Sequence, residues 1–235
     1  MVLDGRALAR TMTARLRRMT EQRDVPLQLA AVLVGDDPGL RKFVELKKKA
    51  AEDIGIQFSL YAFNEQAGQQ EVIDDIAWLS GDDTVQGILV ELPLPKGFNL
   101  TAVMSAIAPE KDVDVLSPKA QENYYEDRSH VLPPAVRAFQ AVLEHEHINP
   151  KGKKAAVFGG GMLVGRPVAH WLKGQGASIS VIDEFTKHPE RISRVADIIV
   201  SGVGKPGLIT ADMVKEGAAV IDFGYGRKPF DPAQG

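Results

Sequence analysis

Apolar positions in the first half of the chain alternate between helical and strand spacing. Leu8, Met12, Leu16 and Met19 recur at helical intervals, and Asp4 stands where an N-cap belongs, which predicts a helix over residues 5–22. The unbroken run LQLAAVLV at 27–34, closed by Gly35, predicts a buried strand. A basic helix over 40–54 follows, stopped by Gly55, then a strand at 57–63 and an amphipathic helix at 71–79. A third strand at 85–90 runs into the proline-rich stretch Leu92-Pro93-Leu94-Pro95. After the Pro133-Pro134 pair the alternation resumes. It gives a bridging helix at 135–145, a strand at 154–158, a helix at 164–173 and strands at 178–182, 198–201 and 219–222. Strands separated by helices imply parallel sheets with crossover connections. The expected fold class is therefore α/β, with two lobes around a cleft, the second of them Rossmann-like. The segment 114–128 is polar and poorly periodic, and its pattern fits a surface loop and a binding loop equally well.

Composition narrows the function classes. The 235 residues are 44% hydrophobic and 25% charged, enough to build a core. A net charge of −3 leaves no basic excess for a phosphate backbone, so nucleic acid is a poor candidate partner. The absence of cysteine excludes disulfides, thiolate chemistry and cysteine-ligated metals. No apolar run approaches the roughly 20 residues that span a bilayer, so no membrane partner is expected. The opening MVLDGRALAR lacks the apolar stretch of a secretory signal, so a cytoplasmic protein is expected.

Three places in the pattern suggest chemistry. The turn Gly159-Gly160-Gly161-Met162-Leu163-Val164-Gly165 follows a predicted strand and opens a predicted helix, where free N–H groups and the helix dipole favour a pyrophosphate. Its spacing is one residue longer than the common dinucleotide fingerprint. Asp183, 24 residues after Gly159, stands at the end of the next strand, where a carboxylate accepts from an adenosine ribose and repels a 2′-phosphate. The competing reading is a tight strand–helix turn beside an ordinary surface Asp. Lys47 shares a helix face with Phe43; a partly buried lysine there would orient water or polarise a leaving nitrogen, although spacing alone favours a solvated basic face. Glu91 directly follows a buried strand, where ligands of parallel sheets bind, and reads equally as a charge at a loop start. None of the five histidines pairs with a carboxylate at metal-ligand spacing, so no metal is expected. No nucleophile elbow or Walker loop is present.

Taken in order, several segments resemble the bifunctional methylenetetrahydrofolate dehydrogenase/methenyltetrahydrofolate cyclohydrolase family. They are Val34-Gly35-Asp36-Asp37-Pro38, Lys47 with residues 50–56 (AAEDIGI), residues 87–95 (GILVELPLP) and residues 109–114 (PEKDVD). In the second lobe they are Val164-Gly165-Arg166-Pro167, residues 196–199 (ADII) and residues 203–207 (VGKPG). The resemblance implies a folate-binding catalytic domain at 1–134 and an NAD(P)-binding domain at 135–235. It implies Lys47 as the catalytic residue, with Phe43, Glu91 and Asp114 lining the substrate site. It assigns the cofactor to Gly159, Gly160, Gly161, Val164, Gly165, Asp183, Gly204 and Tyr225.

The chain departs from the family at several of these positions. A serine and a tyrosine of the family's helix motif are Leu40 and Phe43 here, and only Lys47 is kept. The family's glutamine after the third strand is Glu91; a carboxylate beside Lys47 favours its ammonium form. Asp114 matches the pterin-holding aspartate, but the glycine after it is Val115, so a different bend is expected in that loop. The family's Pro-Cys-Thr-Pro segment keeps only its first proline in Pro133-Pro134-Ala135-Val136. Gly160 and Gly161 replace an arginine and a serine that serve a 2′-phosphate, which with Asp183 points to NAD over NADP. The family's last loop and helix lie beyond Gly235, so the sequence is expected to be truncated or to lack that part of the site.

The resemblance therefore implies hydride transfer from 5,10-methylenetetrahydrofolate to NAD(P), with cyclohydrolase activity weakened, in a homodimer. The alternative is a degenerate paralogue that binds nucleotide or folate without turnover. Leu40, Phe43, Glu91, the altered 133–136 segment and the missing family tail favour that alternative, and retention of Lys47 and Asp114 opposes it.

Overall fold

A computed structural model describes residues 2–224. The chain divides into two compact units, Met1–Leu132 and Pro133–Gly235. Tyr225, assigned above to the cofactor site, lies outside the described residues.

The first unit contains α1 (Gly5–Glu21), β1 (Gln28–Val34), α2 (Pro38–Asp53), β2 (Gln57–Phe63), α3 (Gln69–Gly81) and β3 (Gly87–Val90). Two short helices follow, α4 (Leu100–Ser105) and α5 (Pro118–Tyr125). The strands are parallel in the order β2-β1-β3. Ala31 is thus flanked by Leu60 and Leu89. Ala30–Val34 and Ile88–Val90 are buried, as expected of parallel strands covered on both faces. The chain leaves β1 toward one neighbour and reaches β3 on the other side. The carboxyl ends of β1 and β3 therefore form a switch point, where open α/β sheets leave a crevice.

The second unit contains α6 (Pro134–His145), β4 (Lys154–Phe158), α7 (Gly165–Gly174), β5 (Ser178–Ile182), α8 (Pro189–Ser193), β6 (Ile198–Ser201) and β7 (Ala219–Asp222). A single 3₁₀ turn, Ala211–Met213, precedes β7. This sheet is also parallel, ordered β5-β4-β6-β7, with Val157 between Val181 and Val200. Its switch point lies between β4 and β6. Helix α6, expected as a bridge, packs on α7 within this unit. The rings of Phe139 and Trp171 meet edge-to-face at 5.9 Å, with Phe139 fully buried.

The predicted strands and long helices form, with ends displaced by one or two residues. The segment 114–128 corrects the expectation of a loop. Ser117 caps α5 by accepting from the Ala120 N–H, Pro118 occupies the first turn, and Ala120 and Tyr124 are buried. Eight residues are too few to show a helical period, which is why the pattern concealed this helix. No helix among the described residues is long and apolar enough to cross a membrane.

Candidate active site

The switch point of the first unit gathers three of the predicted residues. Gly35 leaves β1 at φ +92°, and Asp37 caps α2 by accepting from the N–H groups of Gly39 and Leu40 at 2.7 and 2.9 Å. Leu40, Phe43 and Lys47 follow at three- and four-residue steps along one side of α2. Glu91 extends β3 by one residue, its N–H donating to the Val32 carbonyl at 2.9 Å, and its side chain is only 5% exposed. Lys47 Nζ donates to Glu91 Oε1 at 2.8 Å. The lysine is therefore neither wholly solvated nor unpaired; its side chain is 39% exposed and tethered to a buried carboxylate.

The third residue arrives from the chain after α4. Asp112 bridges to Ile88 beside β3 and is buried, with Oδ2 accepting from the Leu116 and Ser117 N–H groups at 2.9 and 2.6 Å. Those two bonds fold the loop back and carry half-buried Asp114 into the field of Lys47 and Glu91. Burial pushes the Asp114 carboxyl above the usual aspartate range; the Lys47 ammonium opposes this, while Asp112 and Glu91 add to it. Val115 stands at the bend that follows Asp114. It takes φ +56°, in the left-handed region that glycine occupies without penalty, and is 4% exposed. The loop holds a β-branched residue in a strained bend, at about 1–3 kcal/mol.

In the second unit the glycine turn sits at the end of β4. Gly159 has φ +87° and donates its N–H to the Ile182 carbonyl at 2.8 Å. A Cβ on Gly165 would lie 1.7 Å from the Gly159 carbonyl oxygen, and one on Gly159 would lie 2.7 Å from the Val203 side chain. These two glycines are sterically required. Gly160 and Gly161 are not: a Cβ would meet only Val181, at 3.9 Å, or nothing at all. Val164 precedes α7 without a side-chain cap and packs against Gly202; in the first turn the Arg166 N–H donates to the Gly161 carbonyl at 3.0 Å and Pro167 has no N–H, so the turn folds back onto the start of the helix.

Asp183 ends β5 in a tight local turn. Its Oδ1 accepts from the Thr186 hydroxyl at 2.7 Å and the Phe185 N–H at 3.1 Å, which hold the carboxyl below the usual range. A cavity of about 600 Å³ opens between these elements, lined by Gly159, Asp183, Phe185, Pro189, Val203 and Lys205. A second cavity of about 450 Å³ includes Ser201, Gly204, Lys205 and Asp222. A glycine crossing that side chains would close, a helix start without a side-chain cap and a carboxylate on the cavity wall together fit a dinucleotide.

The sequence profile of the tetrahydrofolate dehydrogenase/cyclohydrolase catalytic domain matches residues 3–114, and that of its NAD(P)-binding domain matches residues 133–233. The chain belongs to this family. It is 38% identical over 226 residues to the bifunctional protein FolD of Macrococcus caseolyticus, covering 95% of this chain and 80% of that protein. The bifunctional enzyme FolD from Campylobacter jejuni superposes with a TM-score of 0.92 at 35% identity, over 95% of this chain and 81% of that one. A 5,10-methylenetetrahydrofolate dehydrogenase from the silkworm, Bombyx mori, gives 0.90 at 33%, over 96% and 83%. The Trypanosoma brucei dehydrogenase-cyclohydrolase, solved with NADP and an inhibitor, gives 0.89 at 29%, over 95% and 78%.

Within this family fold, Lys47, Glu91 and Asp114 come together in the first unit, with Phe43 one helical turn before Lys47 and 43% exposed. In the second unit, Gly159 and Asp183 line one cavity and Gly204 the other. Three residues escaped the sequence reading as parts of a site. Asp112 shapes the Asp114 loop, Lys205 lines both cavities, and Phe185, 81% exposed, stands on the wall beside Asp183. Asp112 and Lys205 lay inside quoted motifs, and nothing in the local pattern marked Phe185.

Proposed function

We propose that this protein is a methylenetetrahydrofolate dehydrogenase of one-carbon folate metabolism that retains at most a weakened methenyltetrahydrofolate cyclohydrolase activity. The observation that carries the proposal is the Lys47–Glu91 ion pair. It preserves the lysine of the family motif but commits its Nζ to a buried carboxylate. The folate-binding catalytic domain is assigned to 1–134 and the NAD(P)-binding domain to 135–235.

Asp114 holds the pterin, its carboxylate accepting from the 2-amino group and the adjacent ring N–H, and Phe43 stacks on the pterin face without a hydroxyl to donate. Bound to the glycine turn, NAD supplies the hydride acceptor for the bridging methylene of the substrate. Gly159 and Gly165 allow the close strand–helix crossing, Gly160 and Gly161 leave open space for the pyrophosphate, and Asp183 accepts from the adenosine ribose and disfavours the 2′-phosphate of NADP. Hydride transfer requires chiefly that two rings be placed together, so it tolerates the loss of the serine and tyrosine hydroxyls at Leu40 and Phe43. Hydrolysis of the methenyl product needs a proton acceptor beside the attacking water, and Lys47 as an ion-paired ammonium serves poorly. The homodimer implied by the family resemblance belongs to the same proposal.

The test is a spectrophotometric assay of the full chain with methylenetetrahydrofolate, run with NAD and NADP in parallel and following reduced nicotinamide and methenyl product together. Turnover with NAD and accumulation of methenyl product is the expected result. No turnover with either nucleotide, in a folded sample, overturns the proposal in favour of a non-catalytic binder. Light scattering of the same sample checks the dimer.

A further inference from the structure

The ion pair also changes the electrostatic character of the substrate site, an inference that rests on the dehydrogenase reading above. With the family's glutamine at position 91, Lys47 would present a positive charge uncompensated at its own contact. With Glu91 the pair is neutral, and Asp112 and Asp114 act within the same cluster. The Glu91 side chain is 5% exposed, so solvent screens it little, whereas Lys47 is 39% exposed and more strongly screened. Glu91 Oε1 accepts from Lys47 Nζ at 2.8 Å. The field near this cluster is therefore negative on balance.

We propose that Glu91 is a specificity-determining residue that favours hydride removal and retention of the cationic product over its hydrolysis. In the first step the methylene C–H bond breaks, and its electron pair travels with the hydrogen to nicotinamide C4. The carbon left behind shares a positive charge with the two flanking folate nitrogens, and no proton is exchanged. A buried carboxylate fixed before the reaction stabilises that charge as it develops. The same stabilisation makes the carbon less electrophilic toward water. Glu91 thus acts twice against hydrolysis, by tethering Lys47 and by stabilising the cation.

The experiment compares wild type, Glu91→Gln and Glu91→Asp. Rapid-mixing titrations without nicotinamide measure affinity for the methenyltetrahydrofolate cation and for uncharged-ring tetrahydrofolate. Paired initial rates give the ratio of dehydrogenase to cyclohydrolase kcat/KM. Glu91→Gln is expected to weaken cation binding roughly tenfold while leaving tetrahydrofolate within about twofold, and to shift the activity ratio toward hydrolysis by a similar factor. Glu91→Asp, which keeps the charge, retains the preference for the cation. Equal loss of both ligands in Glu91→Gln, or no loss of either, overturns the inference. Failure of the wild type to bind either folate or to reduce either nucleotide instead overturns the dehydrogenase reading on which it stands.

Discussion

Replacing Lys47 by Met should destabilise the first unit far more than replacing Glu91 by Gln, although both changes break the same pair. Lys47 Nζ lies 2.8 Å from Glu91 Oε1, and the two ends differ in burial, at 39% and 5% side-chain exposure. Methionine keeps the apolar stem of lysine but leaves the Glu91 carboxylate buried with no counter-charge. Removing one partner of a fully buried pair costs about 3–5 kcal/mol. The partial exposure of the lysine end admits some water, which lowers the expected cost to about 2–3 kcal/mol. Glutamine at 91 keeps an oxygen that accepts from Lys47 and leaves the cation on the wetter side, so its cost is below about 1 kcal/mol. In a unit of this size, Lys47→Met lowers the melting temperature by about 6–10 °C and Glu91→Gln by less than about 3 °C. The double variant recovers part of the loss of Lys47→Met, because the orphaned carboxylate is gone. Scanning calorimetry with chemical denaturation as a check measures all three. If Lys47→Met costs no more than Glu91→Gln, the carboxylate is not desolvated as described and the argument fails.

Other expectations follow from the same geometry. Asp114→Asn should raise thermal stability near pH 7 while abolishing folate binding. The folded protein holds this carboxyl above the usual range, so its contribution is complete below the unfolded value and is lost as pH rises through the folded one. The gain on substitution must therefore shrink on acidification, and melting curves at several pH values would show a constant gain if burial were not the cause. Gly165→Ala should cost about 3 kcal/mol or more and abolish nucleotide binding, since its Cβ would fall 1.7 Å from a backbone oxygen; Gly161→Ala, in open space, should cost at most about 1 kcal/mol. Comparative denaturation and calorimetric titration with NAD separate the two. Gly160→Arg with Asp183→Ser should move nucleotide preference from NAD toward NADP by at least about tenfold, because the Gly160 position admits a side chain and the repelling carboxylate is removed. Tighter binding of NADP than NAD by the unmodified protein would refute the assignment of Asp183.

The amino-acid sequence by itself determined the two parallel α/β units, because strand and helix periods are local and repeat cleanly through 27–90 and 154–222. It also determined the glycine turn and the order of motifs that carry the family. Which glycines in that turn are obligatory was decided only when the chain crossed itself at Gly159 and Gly165. The pairing of Lys47 with Glu91, 44 residues apart, exists because β1 stands between β2 and β3 and brings the end of β3 to the face of α2. The neighbours of Asp114 were settled likewise by Asp112, whose two backbone bonds hold Val115 in a conformation its side chain disfavours. Local pattern registers a residue's own preference for helix, strand or turn. Charge compensation, desolvation and steric closure depend on atoms far away in the chain, and only the folded sheet brings those within reach of one another.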